Sequence, residues 1–188
     1  MKITTERLVI RPFETKDAAG LWEYLAQPRM NCFMDEKLDT LEDAISEVQR
    51  RHHDETQFAV CLKDTDTLIG HVFADRDDVD NDTYGVGWHF NGKYEGKGYA
   101  SEAARAFFNF LFDSKNGRRI YAYVEDYNVR SQKMCERLNM RREACFLEFV
   151  PVWRSTPDEV QRYDNTYVYA ILKREWRAQT SLNDAAIR

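Results

Sequence analysis

Periodic and alternating apolar positions predict helices and strands in a mixed order along the chain. The longest such pattern runs from residue 84 to residue 112 and contains a strand (84–90), a glycine-rich loop (91–98) and a helix (99–112). On that helix, apolar residues recur at the 3.6-residue period of a half-buried helix. They are Ala100, Ala103, Ala104, Phe107, Phe108 and Leu111. The pattern predicts a strand that leads through a tight turn into an amphipathic helix.

Shorter apolar patterns predict further elements on both sides of this unit. Strands are expected at 8–13, 58–62, 68–74, 119–124, 144–150 and 165–172. Helices are expected to begin near Thr15 or Asp17, at Thr40 and at Asn128. Their buried faces are expected to contain Ala18, Leu21, Trp22, Leu25, Leu41, Ala44, Ile45, Val48, Val129, Met134, Cys135 and Leu138. Because helices alternate with strands while hairpins intervene, we predict one α/β domain built on a mixed sheet.

Composition and charge narrow the classes of protein that fit this chain. With 188 residues, 43% of them apolar and 13% aromatic, the chain can bury a core as a single domain. A net charge of −5 argues against a dedicated nucleic-acid surface, and we expect no nucleic-acid partner. No apolar segment resembles a signal peptide or a membrane span, so we expect a cytoplasmic protein with no membrane partner.

The cysteines and the acidic segment 75–82 have no spacing typical of a metal site. Cys32, Cys61, Cys135 and Cys145 are scattered without a C-x-x-C motif, and we expect free thiols rather than zinc ligands. The aspartates of segment 75–82 do not match a calcium loop and are expected in a solvated connection. We therefore expect no metal cofactor.

The glycine-rich loop has the chemistry of a phosphate receptor. A strand that turns through glycine into a helix presents backbone N–H groups without intrahelical partners, at the positive end of the helix dipole. Gly96 and Gly98 allow a ligand to approach the backbone closely. A P-loop fits poorly, because Gly98 stands where that motif needs Ser or Thr for magnesium. The loop favours a pyrophosphate-bearing ligand at residues 95–101, although a plain tight connection has the same pattern.

Six segments, in order along about 170 residues, resemble those of one known family. They are TERLVIRPF (5–13) with Asp17-Ala18, Leu68-Ile69-Gly70, VGWHF (86–90), YEGKGYASEA (94–103), NVRSQKMCERLNMRRE (128–143), and Asp164 with YVYAIL (167–172) and Glu175-Trp176. Together they resemble the GCN5-related N-acetyltransferases (GNAT), in particular the Rim-type branch that acetylates ribosomal proteins. The resemblance implies a mostly antiparallel central sheet of about seven strands, splayed between the fourth and fifth, with about four flanking helices. We expect the acetyltransferase domain at residues 1–176, followed by a loose tail at 177–188.

In that family the co-substrate is acetyl-CoA, and the resemblance implies where this chain binds it. The backbone of residues 95–100 is expected to hold the pyrophosphate, with Lys93 and Lys97 adding charge or serving as ordinary surface lysines. The pantetheine arm is expected to pair with the free strand edge near His89 and Phe90. The expected set is His89, Phe90, Lys93, Glu95, Gly96, Lys97, Gly98, Tyr99, Ala100, Asn128 and Ser131. Asn128 can also serve as a helix cap.

The reaction implied is direct acetyl transfer, in a ternary complex, to the primary amine of a small molecule or a protein N-terminus. Many relatives have a Tyr four residues after the Ser131 position, but this chain has Cys135. Ser131 is therefore the candidate hydrogen-bond donor to the departing thiolate, a light task because thiols have a pKa near 8.5. Glu148, flanked by aromatic residues, and His89 are rival candidates for the general base.

Departures from the family pattern leave a second function open. Glu95 replaces a usual Trp and puts a negative side chain beside the pyrophosphate loop. The missing Tyr at position 135 and the open choice of base are compatible with a non-catalytic acyl-CoA-binding or sensing module on the same fold. The identity of the acceptor amine also stays open, and either a monomer or a homodimer is expected.

Overall fold

A computed structural model of the protein, which describes residues 1–154, 156 and 158–186, contains one eight-stranded sheet with helices on both faces. The strands are β1 (Ile3–Thr4), β2 (Leu8–Arg11), β3 (Gln57–Leu62), β4 (Leu68–Arg76), β5 (Thr83–Phe90), β6 (Arg119–Glu125), β7 (Arg141–Pro151) and β8 (Tyr163–Leu172). The helices are α1 (Ala18–Leu25), α2 (Leu41–His52), α3 (Tyr99–Asp113), α4 (Val129–Arg137) and α5 (Lys173–Ala186). Short 3₁₀ turns lie at Thr15–Asp17, Asn31–Phe33 and Gly92–Tyr94. Among the described residues no helix has both the length and the apolar character needed to cross a membrane.

The strand order is β1-β2-β3-β4-β5-β6-β8-β7, and every neighbouring pair is antiparallel except β5 and β6. These two parallel strands pair only from Thr83 to Gly85 on the β5 side. Beyond Gly85 they diverge, while β5 stays bonded to β4 as far as Phe90. One edge of β5 from Val86 to Phe90 therefore lacks a strand neighbour, and the predicted splay is confirmed at this position.

The two faces of the sheet pack against different helices. On the face that we call the α3 face, Val86 and Ala122 join the core formed with α3. On the opposite face, which we call the α1 face, Phe13 and Leu21 form a second core with α1 and α2. Because side chains alternate along a strand, His89 on β5 and Glu125 on β6 lie on the α1 face.

The fold class is as predicted, and the differences lie in short or terminal elements. The sheet has eight strands rather than about seven, because the two-residue β1 is too short to give an apolar alternation. The described chain has five helices rather than about four, because α5 continues to Ala186 through most of the segment for which a loose tail was expected. Residues 187 and 188 lie outside the described part, and the domain division at residue 176 stays a prediction.

Four residues predicted to be buried are about one third to one half exposed. They are Trp22, Leu41, Ile45 and Val129, with exposed fractions from 36% to 53%. In α2 the buried stripe instead contains Ala44, Val48 and Arg51, so that Leu41 and Ile45 fall on its flank. The Arg51 guanidinium is fully buried at the end of this stripe, because ion pairs with Glu36 and Glu47 compensate its charge.

Strand β7 also departs from simple alternation. It begins at Arg141 rather than near residue 144, and its register shifts between Phe146 and Val150, where Glu148 has φ +49°. The rings of Phe146 and Phe149 therefore lie on one side, 5.0 Å apart, and both contact Tyr123. Strict alternation would put Phe146 and Phe149 on opposite sides of the strand, and the bulge is the reason that they share one.

Candidate active site

An open cleft of about 380 Å³ lies where β5 and β6 diverge. Residues Gly85 to Trp88 form one wall and Tyr121 to Glu125 the other. Asn128 and Ser131 of α4 close it on one side, and the 32–36 segment closes it on the α1 face. A Cβ at Gly87 would lie 2.0 Å from the Phe73 ring, so glycine is needed here for Phe73 to cover the strand. The cleft thus connects the two faces of the sheet.

The glycine-rich loop on the α3 side exposes its backbone as expected of a phosphate receptor. Gly96 and Gly98 have φ of +76° and +80°, a region that favours glycine. Gly98 caps α3 without a side-chain hydrogen bond, and nothing lies within 4 Å of a Cβ built at Gly96. The N–H groups of the first α3 turn, starting at Tyr99 and Ala100, have no carbonyl of an earlier turn to bind. These residues can hold the diphosphate of a CoA molecule.

Arg7 is a positively charged neighbour of this loop that sequence reasoning missed. Its Nη1 donates to the Lys97 carbonyl at 2.9 Å, and its guanidinium lies 4.6 Å from the centre of the Tyr99 ring. The Glu102 carboxylate, in the first turn of α3, accepts hydrogen bonds from the Arg7 backbone N–H and from the Arg7 guanidinium. The pairing joins residues far apart in sequence, which no local pattern indicates.

Glu95 is turned toward two arginines rather than standing as a free charge beside the loop. Arg29, after α1, donates to its carboxylate, and Arg130 of α4 donates to the same oxygen at 2.7 Å. The hydrogen bond from Arg29 is the main cause of a lowered Glu95 pKa. The anionic side chain that was expected to oppose the diphosphate is therefore neutralised by cations on both sides of the loop.

The two loop lysines have different surroundings. Lys93 forms an ion pair with Glu23 of α1 and remains mostly exposed. The Lys97 ammonium lies 5.7 Å from the centre of the Tyr94 ring. Both lysine side chains lie at the rim of the loop. Their attraction for a phosphate group is therefore screened by salt.

Asn128 and Ser131 belong to one local structure at the start of α4. The Asn128 side chain accepts the Ser131 backbone N–H at 3.1 Å, which is the N-cap interaction. Ser131 Oγ in turn accepts a hydrogen bond from Trp88 Nε1 at 3.3 Å. This bond crosses the opening between β5 and α4. The Ser131 hydroxyl proton stays free to donate, which suits a donor to a leaving thiolate.

His89 is buried in an aromatic cluster on the α1 face. Its ring stacks on Phe33 with centroids 4.1 Å apart and meets Tyr24 edge-on at 5.0 Å. Burial is the main cause that lowers its pKa to about 4, with Arg29 and Arg51 adding repulsion. Its side chain is not part of the cleft wall, while its backbone, with that of Phe90, lies on the free edge of β5.

Glu148 is on β7, an edge strand of the sheet. Its side chain is exposed on β7, and it is not among the described residues that line the cavity. Its backbone N–H donates to Asn165 Oδ1 at 2.9 Å, which holds the β7 bulge against β8. The roles predicted for Glu148 and His89 as bases stay predictions.

The α1-face end of the cleft is acidic. Glu36, Asp75 and Glu125 line it, and within the described chain no Lys, Arg or His does. Burial is the main cause that raises the pKa of Tyr121 to about 12, and its hydroxyl donates to Asp77 at 3.3 Å. Sequence reasoning missed Glu125, although alternation along β6 after Val124 would have assigned it to this face.

Comparisons with known proteins agree with this geometry. Residues 7–141 match the acetyltransferase (GNAT) domain family. The chain is 38% identical over 177 residues to YnaD of Bacillus subtilis, an uncharacterised N-acetyltransferase, covering 94% of this chain and 99% of YnaD.

Solved structures show the same likeness. A GNAT-family acetyltransferase from Bacillus anthracis is 34% identical with a TM-score of 0.82, covering 93% of this chain and all of that chain. A ribosomal-protein-S5-alanine acetyltransferase from Vibrio fischeri has a TM-score of 0.71 at 18% identity, covering 94% and 98%, and so shares the fold. With a family match over most of its length and relatives matched nearly end to end, the chain belongs to the GNAT acetyltransferase family and is an N-acetyltransferase.

Proposed function

We propose that the protein moves the acetyl group of acetyl-CoA directly to a primary amine within a ternary complex. The observation that carries the proposal is the opening between β5 and β6, which has an acidic wall on the α1 face. The loop that follows β5 presents backbone N–H groups and has Arg29 and Arg130 beside it. A diphosphate suits the loop, and an ammonium suits the acidic wall.

Acetyl-CoA supplies the activated acetyl group, and the chain's own residues bind and orient it. The backbone of residues 95–100 holds the pyrophosphate, with Lys93 and Lys97 at the rim. The unpaired edge of β5 at His89 and Phe90 pairs with the pantetheine amides in the manner of strand addition. The support is the free edge beyond Gly85 and the open conformation of the loop.

Ser131 is proposed as the donor that stabilises the departing thiolate. Its oxygen accepts the Trp88 N–H, which leaves its own proton for the sulfur. Cys135, which occupies the place of the missing Tyr, is fully buried and cannot serve this purpose. Of the two predicted bases, His89 has a pKa of about 4 and is too weak to deprotonate an ammonium efficiently near neutral pH.

The acceptor is proposed to be a protein N-terminus or a small amine. The Vibrio fischeri neighbour acts, by its name, on an alanine of a ribosomal protein, but at 18% identity that likeness supports the fold alone. The acidic wall supports a cationic acceptor of either kind.

Thiol release from acetyl-CoA, measured with a panel of small amines and N-terminal peptides, tests the proposal. At least one acceptor is expected to give turnover above the hydrolysis background, and free CoA is expected to raise the melting temperature. A melting shift without turnover on any acceptor would favour a non-catalytic acyl-CoA sensor. No shift at millimolar CoA would contradict binding itself.

A further inference from the structure

Glu125 and Thr166 each carry a buried polar atom that has no hydrogen-bond partner. Glu125 is 4% exposed and Thr166 is 1% exposed. The unpartnered atoms are Glu125 Oε1 and Thr166 Oγ1. Burying such an atom unpaired costs free energy, so native proteins keep one where something else supplies the bond.

The two residues face the same space. They are directly paired across β6 and β8, and antiparallel partners point to the same face of a sheet. Glu125 also lines the cleft that contains Asn128 and Ser131. The Glu125 backbone carbonyl accepts a hydrogen bond from Asn128 N at 3.0 Å. Strand β6 therefore ends at the turn that leads to Asn128 and Ser131, two of the predicted coenzyme contacts.

Three titratable groups near Glu125 interact with its charge, and none of the three is a cation. They are Cys32 on the α1 face, Tyr127 in the turn after β6, and Asp164 on β8. Burial, and then the charge of Glu125, raise the pKa of the Cys32 thiol, which also hydrogen-bonds to Glu125. Glu36 is already paired with Arg51, whose Nη2 donates at 2.8 Å. The Glu125 carboxylate therefore has no cationic partner among these interacting groups.

We propose that Glu125 and Thr166 form the subsite for the ammonium group of the acceptor, and that Glu125 is the base that accepts its proton. The inference rests on the proposed acetyl transfer. An ammonium carries three donors and a positive charge, which satisfies both orphaned oxygens at once. Because Glu36 and Asp75 share this wall, the acceptor class is a cationic amine without a carboxylate next to the nitrogen. Protein N-termini and polyamines fit, and free amino acids do not.

The reaction balances with these groups alone. Glu125 takes one proton from the ammonium and leaves a neutral amine. The amine nitrogen forms a bond to the thioester carbonyl carbon, the carbon–sulfur bond breaks, and sulfur leaves with the electron pair. The nitrogen loses its second proton as the amide forms, and the thiolate, hydrogen-bonded by Ser131, ends as a thiol. The products are the acetamide, CoA and one proton held by Glu125 until it is released to water.

Replacement of the carboxylate by its neutral isostere tests the base. In Glu125→Gln, kcat/KM for an active amine is expected to fall by roughly 100- to 1,000-fold at pH 7. The deficit should shrink as pH rises toward the pKa of the amine, because solvent then supplies the neutral form. CoA affinity should stay within about threefold of wild type, since Glu125 lies on the other side of the cleft. Glu55→Gln, an exposed glutamate in the turn after α2, is the matched control and should behave as wild type.

Thr166→Val separates a binding role from a structural one. A buried hydroxyl without a partner adds no stability, so the melting temperature should stay the same or rise. The KM for the amine should nevertheless increase several-fold with kcat little changed. A lowered melting temperature with an unchanged KM would mean that the hydroxyl serves packing only.

Direct binding keeps the inference testable whatever the turnover. Calorimetric titration of CoA-loaded protein with n-propylammonium and with 1,4-diaminobutane should show binding that Glu125→Gln weakens at least tenfold. Turnover by wild type that Glu125→Gln retains across the pH range would overturn the role of Glu125 as base. Equal amine binding by both proteins, or none by wild type, would overturn the subsite. Absence of turnover with every amine, despite ammonium binding that needs Glu125, would instead count against acetyl transfer and leave the subsite supported.

Discussion

The two sides of the cleft differ in how they are built. We call the side of loop 91–98 the proposed coenzyme side, and the side of Glu36, Asp75 and Glu125 the proposed acceptor side. On the proposed coenzyme side, the loop after β5 presents backbone N–H groups, and its side-chain neighbours include Arg7, Arg29 and Arg130. On the proposed acceptor side, carboxylates and aromatic rings line a wall that is free of Lys, Arg and His among the described residues. On the proposed assignment, one opening between two strands keeps an anionic co-substrate and a cationic acceptor at separate sites.

The two sides also differ in what supports them. Beneath the proposed acceptor side lies a buried polar layer in which His71 Nδ1 bonds Tyr24 at 2.9 Å and Nε2 lies 3.3 Å from Arg51. The loop 91–98 leads instead directly into α3, whose Ala103, Ala104 and Phe107 lie in the apolar core. A change of pH should therefore affect the proposed acceptor side, whereas substitutions that strain the loop backbone should affect the proposed coenzyme side.

The largest effect should come from blocking the loop backbone. We expect Gly98→Trp to weaken CoA binding by ~100-fold or more, because a side chain at φ +80° strains the turn and covers its N–H groups. Asn116→Trp, at φ +54° beyond the other end of α3, imposes similar strain far from the loop and is the matched control. Fluorescence or calorimetric titration measures both. Equal losses in the two variants would mean that the loop is not the CoA site.

Acidification should destabilise the protein through the buried histidines. The pKa of His71 lies well below 6.5 and that of His89 is about 4, in both cases mainly because burial disfavours the charged ring. Below pH 6.5 the unfolded chain therefore binds more protons than the folded chain. The free energy of unfolding decreases as the pH falls, until the pH reaches the pKa of each histidine in the folded protein. The loss is about 1.4 kcal/mol per pH unit for each histidine.

Urea unfolding between pH 7.5 and 4.5 measures this slope. In His89→Phe the slope should be smaller by about one histidine's contribution. The packing should be kept, because a phenyl ring can still stack on Phe33. His53→Gln is the control, because His53 is exposed after α2. If His89→Phe kept the full slope, burial of His89 would not be the cause.

A moderate effect is expected from removal of the Ser131 hydroxyl. Ser131→Ala should lower kcat about tenfold with CoA affinity nearly unchanged, because a thiolate with a pKa near 8.5 needs little help to leave. Ser131→Thr keeps a hydroxyl and should recover part of the rate. A Thr variant as slow as the Ala variant would argue that packing near Trp88, rather than the hydroxyl, sets the rate.

The smallest effect should come from Glu95. Glu95→Gln releases Arg29 and Arg130 for the phosphates, and CoA should bind two- to fivefold more tightly at low salt. The gain should disappear at high ionic strength. Weaker binding instead would show that Glu95 is needed to position the two arginines.

Local features of the site could be predicted from the sequence, and cross-chain features could not. The Gly98 turn, the Asn128 cap and the Thr40 capping box depend on neighbouring residues, and the structure contains each of them. Contacts such as Trp88 to Ser131 depend on the angle between β5 and α4, which no periodicity encodes. Glu125 meets Thr166 because β8 inserts between β6 and β7, an order that differs from the order along the chain.

The β7 bulge explains why sequence reasoning favours Glu148 as a candidate base. Alternation placed it beside aromatic residues, but the β7 bulge changes which side chains share a face. A bulge adds one residue to one strand of a pair, and a single sequence carries little signal for it. Burial of Arg51 depends on an ion pair with Glu36 outside α2 and on one with Glu47 within α2, and apolar periodicity registers neither.

A crystal structure of the protein with CoA and an acceptor amine tests the central claim most directly. We expect the pyrophosphate on the backbone of residues 95–100, the thiol in the opening beside Ser131, and the amine nitrogen within hydrogen-bond distance of Glu125 Oε1. A diphosphate bound away from the loop, or an amine nitrogen on the α3 side or at Glu148, would contradict the assignment of the two sides.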